Sequence, residues 1–261
     1  LLKNDFKGVL MGTSRLKMQT ALNELLEPQR FQDFAPNGLQ VEGRENIDIL
    51  VSGVTASQAL LDAAVALRAD AVLVHHGYFW RSEDPCLVGM KGRRVRTLMQ
   101  SNINLFAYHL PLDCHIELGN NAGLGRALGV TQFEPLMPQE PTVPVFVGEL
   151  SEVTPLMAVA ERLSKQLGRS VLSEGDCEVS RIAWCTGGGQ GYIDKAADAG
   201  ADLFVTGEVS EQTIHIARER GISFIAAGHH ATERFGVQSV GAWLSQELGI
   251  EHHFVDDNNP A

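Results

Sequence analysis

Three short segments carry side chains that together could hold a cation. In VLVHHGYFW an apolar run leads straight into His75 and His76. Inside a regular strand neighbouring side chains point to opposite faces, but at a strand's C-terminal end the backbone is free to turn both imidazoles toward one mouth. Adjacent histidines there can serve two different ions. In HLPLDCH, after the apolar run INLFAY, Asp113 stands four residues beyond His109 and offers a carboxylate oxygen to a hard or borderline ion. His109 and His115 are either further ligands or the groups that orient them. In AAGHHATE, His229 and Glu233 are four apart, and a helical turn at Ala231-Thr232 lets both face the strand end they follow.

Each segment alone has a bland reading: a satisfied histidine pair in a loop, an Asp after a strand, a Glu at the positive end of a helix dipole. Cys114 is a bystander, because nothing else in the set is sulfur. Three strand ends bearing His-His, Asp and His-x-x-x-Glu nonetheless describe a metal site. Three imidazoles and two carboxylates exceed what one catalytic zinc takes, so the expected cofactor is two divalent metal ions, with one carboxylate free to bridge them. Nitrogen and oxygen donors without thiolate admit Zn, Mn, Fe, Co or Ni.

The elements that must position these groups read as alternating strands and helices. From residue 47 the order is IDILVSGV, SQALLDAAVAL with Ser57 as N-cap, DAVLVHH, a basic helix around RRVRTLMQS, then INLFAYHL. A second series begins near residue 143, with Thr154 as N-cap and Pro155 at the first helical position, and continues through RIAWCTGGG, ADLFVTGEV and ISFIAAGHH. An offset of 132 lays Leu50 on Ile182, Asp70 on Asp202 and His76 on Glu208, while an offset of 119 lays INLFAYH on ISFIAAG. The expectation is an α/β fold of two pseudo-symmetric units with mostly parallel sheets, facing a shared crevice where open α/β sheets bind ligands. The division expected is residues 18–138 and 139–261, after a leading extension over 1–17 whose mixed composition sets it apart. Across that boundary, residues 14–27 place Leu16, Leu22, Leu25 and Leu26 at helical spacing, and Pro28 stops that helix.

Composition narrows the function classes. Of 261 residues, 44% are apolar and 20% charged, ordinary globular values, and the formal net charge of −11 repels nucleic acid and anionic membranes. No run approaches the ~18 consecutive apolar residues of a membrane helix. Cys86, Cys114, Cys177 and Cys185 are scattered, which fits reduced thiols and a cytoplasmic location better than a disulfide framework.

Smaller features carry smaller expectations. TGGGQG at 186–191 lies between a strand and a helix but lacks the lysine and spacing of a phosphate-binding loop, so its glycines are read as permitting close backbone approach near the crevice. Glu208 in VTGEVS reads as a general base, as a group that orients a ligand, or as a surface or capping Glu. KGRRVRTL at 91–98 concentrates positive charge that could bind a phosphate-bearing substrate, with a solvated helix face the better reading, and His252 and His253 sit in an alternating strand with no special role.

VHHGYFW, HLPLDCH, TGEVSEQTIH and AAGHHATE, in this order and joined by APNGLQVEG, GVTAS and WCTGGGQ, resemble the Nif-three-like dinuclear-metal family from about residue 20 to the C-terminus. Its bacterial members are often labelled type 2 GTP cyclohydrolase I homologs. The resemblance implies His75, His76, Asp113, His229 and Glu233 as metal ligands, two interlinked α/β domains, and a toroidal homohexamer with its metal sites facing an internal cavity. The function it implies is a metal-dependent hydrolase of a small molecule, one that could bear phosphate, with Glu208 or His109 as proton shuttle. The competing class is a non-catalytic metal-trafficking protein or interaction scaffold.

Overall fold

The computed structural model describes residues 12–261. Residues 13–17, expected in a leading extension, instead open the fold. Strand β1 (Thr13–Ser14) leads into helix α1 (Arg15–Leu26), and Ser14 Oγ caps that helix by accepting Lys17 N–H at 3.1 Å. A serine ahead of an amphipathic run is a helix start whatever its neighbours' composition. The buried stripe of α1 is Met18, Leu22 and Leu26, whereas Leu16 faces outward. The rest of the expected extension, residues 1–11, lies outside the described residues.

The chain continues through β2 (Gly38–Val41), β3 (Asn46–Ile47), β4 (Ile49–Thr55), α2 (Gln58–Ala66), β5 (Ala71–His76), α3 (Gly89–Ser101), β6 (Asn104–Ala107), α4 (Leu110–Cys114) and α5 (Asn120–Leu128). The later half holds β7 (Phe133–Pro135), β8 (Phe146–Pro155), α6 (Leu156–Leu167), β9 (Leu172–Glu174), β10 (Glu178–Cys185), α7 (Ile193–Asp198), β11 (Leu203–Thr206), α8 (Glu211–Arg220), β12 (Ser223–Ala226), α9 (His229–Thr232), α10 (Arg234–Leu248) and β13 (Glu251–Phe254). Helix α6 starts one residue later than expected because Thr154 still pairs with Val179 in the sheet, leaving Pro155 as the cap.

Beside a short β1·β3 pair, two larger sheets form a mixed α/β architecture. The first has the order β13-β4-β5-β6-β2, parallel except at the β2 edge. The second has the order β7-β8-β10-β11-β12-β9; β10, β11 and β12 are parallel, and the other three pairings are antiparallel. The expectation of mostly parallel sheets therefore holds for the first and not the second. β7 and β8 are joined directly without a crossover helix, and such a connection yields antiparallel neighbours.

The parallel cores of the two sheets repeat their hydrogen bonds at the offsets read from sequence. Asp70 Oδ2 accepts the N–H groups of Asp48 and Ile49 at 2.8 and 2.9 Å, and Asp202 Oδ2 accepts those of Ser180 and Arg181 at 2.9 and 2.8 Å. The halves also exchange elements. Leu124 and Leu128 of α5 pack in the core under the second sheet with Phe146 and Trp184, while Val240 and Leu244 of α10 pack under the first with Leu50 and Leu73. β13 then adds to the edge of β4. Two sheets laced in this way hold their strand ends at a fixed spacing. Among the described residues no helix is long and apolar enough to cross a membrane.

Candidate metal centre

His75 and His76 close β5. The strand's register against β6 ends at Val74, while its register against β4 runs on to pair Thr55 with His76, so the chain leaves the sheet on one side first. His75 is buried and its Nδ1–H donates to Tyr108 O at 3.1 Å, which leaves Nε2 bare. His76 Nδ1 hydrogen-bonds Thr55 Oγ1 at 3.2 Å, again directing Nε2 inward. Asp113 sits on α4, whose start is held by a loop from earlier in the chain: Asp33 Oδ2 accepts Leu110 N–H at 2.9 Å and Asn37 Oδ1 accepts His109 N–H at 2.7 Å. Asp113 Oδ1 accepts Asn120 Nδ2–H at 2.9 Å and Thr186 Oγ1–H at 3.1 Å. His229 opens α9 and Glu233 closes it, four residues on, which places them on one face.

The result is a cluster organised around one carboxylate. Glu233 Oε1 is 3.4 Å from His75 Nε2, which is itself 3.6 Å from Asp113 Oδ1. Glu233 Oε2 is 3.3 Å from His76 Nε2 and 3.2 Å from His229 Nε2. Two sets thus share Glu233, His75/Asp113/Glu233 and His76/His229/Glu233, each able to hold a metal ion with its donor atoms within 4.8 Å of one another. His75, His76 and His109 make a further such set. His75 Nε2 and Glu233 Oε2 are buried without a hydrogen-bond partner. Orphaned buried donors and acceptors are costly, and a cation satisfies lone pairs of both kinds at once. Gly187, at φ +63°, completes the fit, because a Cβ there would fall on Glu233 Oε1.

The electrostatics follow from burial and crowding. Burial opposes charge on His75, yet the carboxylates of Asp113 and Glu233 draw its pKa up to about 9. Burial and the neighbouring imidazoles push His76 down to about 3, so it offers a neutral lone pair at any physiological pH. The approach of Glu233, with Glu208 behind, raises His229 to about 9. Burial alone would raise Glu233, but the imidazoles around it hold it well below the carboxylate range; for Asp113 burial wins and the pKa rises.

Other residues singled out in the sequence fall into place unequally. Glu208 Oε1 accepts His229 Nδ1–H at 2.7 Å, an arrangement that fixes a ligand's tautomer and ring orientation. His109 lies beside the cluster, 5.0 Å from the His75 ring, with its Nδ1–H donating to Asp33 Oδ1 at 2.7 Å. His115 is not brought in; its Nδ1 accepts the N–H of Leu118 at 3.0 Å and caps a local turn. His252 contacts Ser52 and His253 contacts Glu251, both away from the cluster. Sequence reading missed Asp33, whose pKa falls to about 2 because the bond and charge of His109, with Asn37 and Phe34 N–H, outweigh its burial. It also missed Asn120 and Thr186. Asp33 and Asn37, four residues apart in the loop before β2, were the available signal for Asp33.

The cluster forms the floor of a cavity of about 880 Å³. The sequence pattern of the Duf34/NIF3 (NGG1p interacting factor 3) family matches residues 14–260. The chain belongs to this NIF3 family. The GTP cyclohydrolase 1 type 2 homolog of Yersinia pestis is 58% identical over 254 residues, covering 94% of the NIF3 chain and 99% of that protein. Among solved structures, protein ybgI, described as of unknown function, matches with a TM-score of 0.91 at 51% identity, over 95% of this chain and 100% of that one. TTHA1606 from Thermus thermophilus matches with a TM-score of 0.87 at 36% identity, over 95% and 100%. The likeness therefore spans both sheets of the NIF3 chain and the loops that carry the cluster.

Proposed function

We propose that the protein holds two divalent metal ions, of the Zn, Mn, Fe, Co or Ni class, and uses them to hydrolyse a small molecule. The observation that carries this reading is Glu233, a buried carboxylate with one oxygen toward His75 and the other toward His76 and His229. His75 and Asp113 would hold one ion, His76 and His229 the other, and Glu233 would bridge them. Ions held there would supply Lewis acidity toward a water and toward a carbonyl or C=N group. The chain's own groups hold and orient. Tyr108 O, Thr55 and Glu208 each engage an Nδ1 and keep the Nε2 atoms aimed inward. Glu208 is engaged by His229, so the proton carrier is His109, which lines the cavity and is anchored by Asp33. The name of the relatives, GTP cyclohydrolase 1 type 2 homolog, supports ring opening as the reaction.

Resemblance adds a toroidal homohexamer, and the scattered cysteines add a cytoplasmic location. Exposed apolar side chains, Val88 and Met90 at the start of α3, Val153 at the end of β8 and Met157 on α6, support burial between copies, and four free cysteines suit a reducing compartment. One set of preparations tests the whole reading. Elemental analysis should give about two ions per chain in the wild type and almost none in Glu233→Ala, and light scattering should give six chain masses. Metal-loaded protein should then turn over GTP or a cyclic amidine. Two ions with no turnover of either would replace the hydrolase with a metal carrier or scaffold; unchanged metal in Glu233→Ala would remove the metal centre itself.

A further inference from the structure

The cavity above the cluster has walls unlike its floor. Phe34, Trp80 and Tyr192 line it, and Phe34 is 60% exposed. Trp80 and Phe34 flank His109 edge-on, with ring centroids 5.0 and 6.3 Å away and planes at 81° and 65°. The two loops that carry these rings are tied together. Arg81 N–H donates to Phe34 O at 2.8 Å. Gln40 spans the gap, its Oε1 accepting Tyr78 N–H at 2.7 Å and its Nε2 donating to Tyr78 O at 3.1 Å and Pro36 O at 2.8 Å. Phe79, just before Trp80, is held at φ +66°, a left-handed conformation that a bulky side chain adopts only where its surroundings impose it. Gln40 belongs to the APNGLQVEG segment, which thereby holds an aromatic rim in place over the cluster.

Provision for phosphate is meagre. Among the described residues lining the cavity, Arg30 is the single Lys or Arg, and its guanidinium is 2.6 Å from Glu27. Three of the six TGGGQG N–H groups are committed elsewhere, Thr186 to Asn121 Oδ1, Gly187 to Thr232 Oγ1 and Gly189 to Thr206 Oγ1, each at 3.0 Å, which leaves Gly188 as the one residue of the segment that lines the cavity with its N–H uncommitted. Apart from coordination to the metal ions themselves, a polyphosphate needs several free N–H groups, guanidinium forks or ammonium groups in one place.

We infer that this cavity binds a planar, uncharged heteroaromatic ring, stacked against Trp80 and Phe34 beside the metal cluster, and has no polyphosphate subsite built from cationic side chains. The inference deepens the hydrolase reading and rests on it only for what happens after binding. Flat rings suit such a rim because every heteroaromatic offers a π-face, and stacking on an aromatic side chain holds it without a charge.

Calorimetric titration of the metal-loaded full chain with guanosine, cytidine, nicotinamide and GTP tests it. At least one of the three uncharged rings should bind, and GTP should bind no more than tenfold tighter than guanosine. Trp80→Ala and Phe34→Ala should each weaken the ring that binds by about tenfold, Trp80→Phe should stay within threefold of wild type, and metal content should be unchanged throughout. Phe34 is largely exposed, so its substitution leaves the core intact. Binding by none of the three rings, a GTP preference above tenfold, or wild-type affinity in both alanine variants would overturn the inference. Ring binding without turnover of any compound leaves this site standing and removes the hydrolase reading; GTP turnover with kcat/KM unaltered in both alanine variants does the reverse.

Discussion

The tips of β5 and β11 stand 132 residues apart and are built alike below the last residue, yet they deliver different chemistry. Beneath β5, Asp70 ties β4 to the sheet through Asp48 and Ile49; beneath β11, Asp202 ties β10 through Ser180 and Arg181. Tyr108 N–H donates to Val74 O at 3.1 Å, and Ala227 N–H donates to Thr206 O at 2.8 Å. At the tips the likeness stops. β5 ends in two imidazoles, whereas β11 is followed by Gly207 and Glu208. A Cβ on Gly207 would stand 2.6 Å from Gly187 O and 2.7 Å from His229 Cα, so that tip is a floor for the His229 segment and has no room for a ligand of its own. Scaffold hydrogen bonds are under the same demand in both halves because both sheets need them. The tips are free to differ because one cluster needs only one set of donors.

The sharpest way to break this comparison is to exchange the loads on the two tips. His76→Ala removes a donor, and metal affinity at the His229/Glu233 set should fall by more than about 100-fold. Glu208→Gln keeps the shape but weakens the hold on His229, and should cost about 10-fold. Competitive chelator titration measures both, and equal losses would mean that the tips carry equal work. Next in size, Asp70→Ala should destabilise by about 3 kcal/mol and Asp202→Ala by about 2 kcal/mol in urea unfolding, since Asp70 also holds Arg44 at 2.9 Å. A negligible effect at either site would break the likeness of the scaffolds.

A last effect, comparable in size to that of Asp202→Ala, is pH-dependent and belongs to the first half alone. Asp33 has a folded-state pKa of about 2, below the ordinary 3.8, so its stabilisation is complete above the unfolded value and is lost as pH falls through about 2. Wild type should exceed Asp33→Asn by on the order of 2 kcal/mol at pH 6, and the gap should close toward pH 2. A gap that persists unchanged at pH 2 would show that Asp33 acts by shape and not by charge.

Much of this was legible in the amino-acid order. The alternation of apolar runs with amphipathic ones announces the α/β layering, and His75, His76, Asp113, His229 and Glu233 each follow an apolar run because strand ends are where a polar side chain can sit beside a sheet without entering it. The helical spacing from Leu16 to Leu26 was legible, but residues 13–17 were also assigned to a leading extension because mixed composition hides a capping serine. The antiparallel share of the second sheet was hidden because an apolar run does not record its partner's direction.

Residue types and their place along each strand were thus written in the sequence. Which atom of each side chain faces the cluster was not, since His75 is aimed by a carbonyl 33 residues away and His229 by a carboxylate 21 residues before it. Only the laced sheets decide that Glu233 turns one oxygen toward each set of imidazoles. Ring orientation is fixed by hydrogen bonds between segments, and those exist only once the segments have packed.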